Sequence, residues 1–220
     1  NLYNIRYAIN GTYLHYIEDA GYFKFNPAVL FRIREDDMRE NHKQAIQIRQ
    51  VMVNLEPSKY ATEFDGNKEN YNVFNAQYFN TTTELTQHLN FVSDIQLASK
   101  FGKTSVELEY RRLFNNNRTI NLRLFAGTFL NNKTNSDFFS FGLDRASDYL
   151  FDYNYYGRSE KTGIFSQQLI LAEGAFKSKL DTPFANQWMV TTNMGFNVWN
   201  WVEIYGDLGF VKNDFRSAKF

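Results

Sequence analysis

Three histidines and two groups of acidic residues are the side chains of this chain that could do chemistry. His88 is predicted on the polar side of a strand, with Asp94 six residues further on. A histidine oriented by a carboxylate can activate a nucleophile. At roughly 3.3 Å per residue, however, one strand holds these two about 20 Å apart, so they cannot pair within it. His42 lies in a charged turn beside Arg39, Glu40 and Lys43, and His15 lies between Tyr13 and Tyr16 near a strand end. Both read as solvated or interfacial residues. Glu35, Asp36 and Asp37 offer clustered carboxylate oxygens, which a hard cation such as calcium prefers. They lack the spaced ligands and turn glycine of a calcium loop. Asp144, Asp148 and Asp152 recur with Arg145 and Arg158, in or beside the aromatic stretch 147–157. These charges could tie down a salt-bridged plug or a docking loop. The chain has no cysteine, which removes disulfides, thiolate metal ligands and thiol nucleophiles together. No residue of this segment is therefore expected to be catalytic, cofactor-binding or metal-ligating.

The elements that carry these residues are set by alternation. Ile120, Leu122 and Leu124 are separated by Asn121 and Arg123. Val106, Leu108 and Tyr110 alternate with Glu107, Glu109 and Arg111, and Ile204 and Leu208 lie among Glu203, Tyr205 and Asp207. A period of two puts successive side chains on opposite faces of a strand. About eleven strands are predicted on this pattern, near 3–17, 22–34, 44–55, 72–81, 87–101, 104–114, 119–130, 137–145, 164–177, 187–198 and from 202 onward. Pro27 predicts a bulge or an edge position in the second. The apolar parity of the third switches from Ile46 and Ile48 to Val51, Val53 and Leu55, which predicts a bulge near Arg49–Gln50. Asparagines at 115–117 are turn residues. Stretches 56–70 and 147–157 read as long loops. Short and long connections do not alternate cleanly on this strand count, so it leaves the strands unoriented.

So many strands with one greasy face each form either two packed sheets or one sheet that shows its greasy face to lipid. Composition bears on the choice. Of 220 residues, 18 % are aromatic, and the net charge is zero. A zero balance argues against a dedicated nucleic-acid binder, because phosphate contacts need a basic surplus. No run of about 18 apolar residues is present, so no transmembrane helix is expected. The mean hydropathy of −0.50 does not exclude a barrel, whose lumen and loops are polar. Aromatics near strand ends, including Tyr22, Phe23, Tyr110, Phe114, Phe129, Trp188, Trp199 and Trp201, fit the two interfacial girdles of such barrels. The polar faces mix small, amide and charged residues, as a lumen does. The expectation is an all-β, antiparallel transmembrane β-barrel in the bacterial outer membrane. Leu122, Leu124, Val190, Phe196, Ile204 and Leu208 would face lipid. Asn121, Arg123, Asn193, Glu203 and Asp207 would face inward. The odd strand count and the start at Asn1 suggest an excerpt of residues 1–220 from a larger barrel.

The segments "LEYRRLFNNNRTINLRLFAGTFL", "DFFSFGLDRASDYLFDYNYYGRSE" and "NQWMVTTNMGFNVWNWVEIYGDLGFVKN" resemble a known group. It is the C-terminal outer-membrane β-barrel region of Bacteroidota metallopeptidase-like proteins of the M1 (gluzincin) type. The resemblance is best over residues 71–213. It implies an outer-membrane location, outer-membrane lipid and other outer-membrane proteins as partners, and a zinc-peptidase-like domain ahead of this segment, held at the cell surface or in the periplasm, either as an active peptidase or as an interaction module that has lost its zinc site. It implies no chemistry here. The family motif H-E-x-x-H puts two zinc-binding histidines one helical turn apart, with a glutamate to activate water. His15, His42 and His88 are followed by Tyr16, Lys43 and Leu89, and none has a second histidine four residues on. No cofactor is therefore expected in the segment, with zinc confined to the upstream domain. The expected role is an anchor or scaffold; the alternative is a porin or transporter barrel.

Overall fold

The computed structural model describes residues 5–15, 21–34, 40–56, 69–134, 136–145, 147–152, 172–199 and 202–214. They form an all-β fold. Long strands are β1 (Ile5–His15), β2 (Gly21–Arg34), β3 (His42–Glu56), β4 (Glu69–Thr83), β5 (Gln87–Ala98), β6 (Phe101–Leu113) and β7 (Thr119–Asn132). After a 3₁₀ turn at Asp137–Phe139 come two short strands, β8 (Phe141–Gly142) and β9 (Phe184–Ala185). The long strands β10 (Trp188–Trp199) and β11 (Val202–Lys212) follow. Nine strands make one antiparallel sheet in the order β1-β2-β3-β4-β5-β6-β7-β10-β11, and β8 pairs only with β9. β1 and β11 are the edges of the large sheet, so the described strands form an open sheet and not a closed barrel.

Register follows the alternation. Across the sheet Ile5, Phe31, Ile46, Tyr78, Ser93, Val106, Ala126, Val190 and Phe210 lie in one row on one face. The β6–β7 turn is closed by Phe114 N–H donating to the Arg118 carbonyl at 2.8 Å, with Asn117 at φ 57°. Asparagine tolerates that left-handed conformation, so the predicted turn chemistry holds.

Two expectations about elements are corrected, and a third falls largely outside the described residues. Residues 137–145 supply a 3₁₀ turn and the two-residue β8 instead of a long strand. Their apolar side chains are spent on packing: Phe139, Ser140, Phe141, Gly142 and Leu143 are all buried, so no face alternates with solvent. Of 164–177, only 172–177 is described, and it turns without forming a strand. The bulge near Arg49–Gln50 is also absent, since β3 keeps one register with β4 from His42 to Leu55. The parity switch has a different cause. Ile46 and Ile48 point to one face, while Val51 and Val53 point to the other, into the core. Pro27 sits opposite Ile9 in an unshifted β1–β2 ladder; on the β3 side the ladder passes over Asn26 and Pro27.

The sheet has a bare face and a covered face. On the bare face Ile9, Ile33, Met194, Ile204, Leu208 and Phe210 are each more than half exposed. The covered face is packed by the long β7–β10 connection, through its described parts 136–145, 147–152 and 172–187. Two apolar clusters form there. Phe125 and Met189 of the sheet meet Phe141, Leu143 and Ala185. Val73 and Phe101 meet Phe139 and Tyr149.

Candidate functional site

The covered face is where charge and shape converge. It is held by three groups of contacts, each joining the β7–β10 connection to strand residues whose parity turns them to that side.

The first group is a polar chain across β2–β5. Arg49 donates to both carboxylate oxygens of Asp152, at 3.0 and 2.7 Å, and through Nε to Asn75 Oδ1 at 2.6 Å. Lys24 Nζ donates to the same carboxylate at 2.7 Å and to the Phe151 carbonyl at 2.9 Å. Asn75 Nδ2 donates to Asp94, which also accepts from Gln96 Nε2 at 2.6 Å, and Gln96 accepts from the Tyr149 hydroxyl. Asp152 and Tyr149 thus grip the two ends of one network. Burial pushes the Asp152 carboxyl up, but the Arg49 guanidinium and Lys24 ammonium outweigh it and hold the group below the usual carboxylate value. Burial, with the nearby charges of Glu173 and Asp94, keeps the Tyr149 phenol well above its ordinary value, so it stays a donor.

The second group is an aromatic nest around Lys103, which is 2 % exposed. Its ammonium lies 4.6 Å from the ring centroids of both Phe141 and Tyr149 and donates to the Phe139 carbonyl at 3.0 Å. Ring faces attract a cation, and the attraction grows when water is excluded.

The third group spans β6–β11. Arg123 donates to Glu107 at 2.6 Å and to the Glu173 carbonyl at 2.8 Å. Asn193 donates to the Gly174 carbonyl at 3.1 Å and to Asp207 at 2.9 Å, and Asp207 accepts from the Lys177 backbone N–H at 3.1 Å. Gly127 leaves room for this packing: a Cβ there would lie 2.7 Å from the Phe141 ring.

The residues singled out from sequence scatter. His88 and Asp94 do not meet; His88 Nδ1 lies 3.0 Å from Thr83 Oγ1, and Asp94 belongs to the network above. His42 opens β3 and faces Asn80 Oδ1 at 2.8 Å. His15 ends β1, exposed. Glu35, Asp36, Asp37 and Arg158 lie outside the described residues. Among the described residues no cluster of three His, Asp or Glu side chains could hold a metal. Asp152 pairs with strand cations and not with Arg145; Asp144 accepts from the Leu180 backbone N–H at 2.7 Å.

Arg123, Asn193 and Asp207 lie on the covered face with Asn121 and Glu203, while Leu122, Leu124, Val190, Phe196, Ile204 and Leu208 lie on the bare one. Two residues proposed for an aromatic girdle belong to the covered face instead. Tyr22 stacks on Phe151 at 4.1 Å, and Phe129 packs edge-on to Phe141 at 5.2 Å. Lys103 and Glu173 were not legible as site residues. The parity of β6 places Lys103 with Glu107 and Glu109, but nothing local shows which inward residue receives a lid. Among the described residues no helix is long and apolar enough to cross a membrane, which says nothing about strands. Comparison with models of protein families, with curated proteins and with solved structures gives no match.

Proposed function

We propose that this chain is part of the wall of an outer-membrane β-barrel that acts as an anchor or scaffold, with its interior occupied by its own β7–β10 connection. The observation that carries the reading is the pairing of one bare apolar face with one covered polar face on a single sheet. A soluble protein rarely leaves a broad apolar face bare, because such patches drive association. In a bilayer that same face is solvated by lipid, and polar residues turn inward. The covered face favours an anchor over a porin: a passive channel needs a continuous wet path, whereas here Phe139, Phe141, Leu143 and Tyr149 are buried between the connection and the strands. The tie to a zinc-peptidase-like domain rests on the sequence resemblance alone.

Planar-bilayer recording on the purified full-length protein tests the role. An anchor gives no sustained ion conductance; steady single-channel steps overturn it in favour of a porin or transporter.

A further inference from the structure

Because β7 pairs directly with β10, residues 133–187 are one connection, and the connections of the nine-stranded sheet sort by length. At one end lie residues 35–41, 84–86, 114–118 and 200–201. At the other lie 16–20, 57–68, 99–100 and 133–187. Every connection at the first end is short, and both long ones share the second. The ladders fix this division, because antiparallel neighbours place successive connections at alternate ends: Thr83 pairs with His88 and Leu113 with Thr119 at the first, Leu55 with Glu69 and Leu97 with Gly102 at the second. Outer-membrane barrels keep short turns on the periplasmic side and long loops outside.

We infer that the sheet is oriented with the 84–86 and 114–118 turns toward the periplasm and the β7–β10 connection toward the cell exterior. This rests on the barrel reading above. The filling of the interior agrees with it. Lys24, Gln96, Lys103, Phe129 and Met189, which contact the connection or form its apolar floor, lie in the half of their strands nearest the long-connection end, while Arg123 and Tyr205, which meet Glu173 and Lys177, lie past mid-strand. The connection thus enters from the long-connection end and reaches past mid-strand.

The orientation has a consequence for partners. β1 runs from Ile5 toward the 16–20 connection, so the chain enters β1 at the short-turn end. A domain joined ahead of β1 by a short linker therefore sits in the periplasm and not at the cell surface. The β7–β10 connection contributes to the surface available outside.

The absence of cysteine makes single-cysteine reporters clean. S99C, in the 99–100 connection, reports the long-connection end, and L85C the short-turn end; both positions are exposed. The probe is a maleimide on a polyethylene glycol too large to pass porins, applied to cells making the full-length protein. S99C is expected to label in intact cells, and L85C only after the outer membrane is opened. The reverse pattern overturns the orientation and leaves the barrel standing. Equal labelling of both, in intact cells or only after opening, puts both ends on one side and sinks the membrane-spanning reading itself. Labelling of both variants in detergent extracts confirms that each thiol is reactive.

Discussion

At the residue scale, Asp152 is the contact whose removal is most informative. Two buried cations from different strands, Lys24 and Arg49, meet on its carboxylate. Replacing it with asparagine keeps the shape and removes the countercharge, so both cations lose their neutralising partner. Breaking a fully buried pair costs about 3–5 kcal/mol; this carboxylate keeps some solvent access, so D152N should cost about 2–3 kcal/mol in unfolding experiments. The pH dependence has a definite sign. The folded carboxyl titrates below its unfolded value, so its contribution is complete above the unfolded pKa of about 3.9. It is lost as pH falls through the lower folded pKa. D152N should therefore flatten the acid limb of the stability profile and leave the neutral-to-alkaline limb parallel to the parent. An unchanged acid limb would show that the Lys24–Asp152–Arg49 contact does not hold the connection in place.

At the element scale, each long strand carries two environments, and one substitution separates lipid from water as the solvent of the bare face. Leu124 lies mid-strand in β7 on that face and is 39 % exposed. In a bilayer a lysine there costs about 2–4 kcal/mol near the midplane. On a water-exposed sheet the same change stays within about 0.5 kcal/mol. Folding of L124K into lipid vesicles, followed by denaturant titration, distinguishes the two, and a negligible change rules out lipid contact at this position. Much of this element-level pattern was legible beforehand. The alternation in β6, β7 and β11 assigns faces correctly because a strand's period of two is local geometry. The failures at 137–145 and at Arg49–Gln50 share a cause. Alternation records which side chains are apolar and not which segment covers them: Ile46 and Ile48 of β3 face the bare side, Val51 and Val53 face the side covered by a segment distant in sequence, and residues 139–143 are all buried.

At the scale of the whole molecule, the open nine-stranded sheet has consequences of its own. With an odd number of antiparallel strands the two edges, β1 and β11, run in the same direction. Antiparallel closure of a barrel on these edges takes an odd number of further strands. Unpaired backbone N–H and C=O groups along an edge are costly in hydrocarbon, so a membrane-embedded form must cover both edges. The full-length protein should accordingly stay in the membrane pellet after an alkaline carbonate wash and need detergent for extraction. Recovery as a soluble monomer without detergent would favour a water-facing sheet.

The sequence by itself determined the all-β class, most strand positions and which residues share a face, because backbone pleat and turn chemistry act over a few neighbours. It also excluded thiol chemistry and the zinc motif, which are matters of residue type and spacing. Only the tertiary structure decided that the Asp137–Leu143 run packs on the nine-stranded sheet and is not one of its strands. The same holds for the joining of Asp152 to Lys24 and Arg49 across more than a hundred residues, and for the seating of Lys103 among Phe141, Tyr149 and the Phe139 carbonyl. The physical reason is that a polar strand face offers many equivalent partners, and the one used depends on where a long connection folds back. That choice is made by packing between segments far apart in the chain, which no local period records.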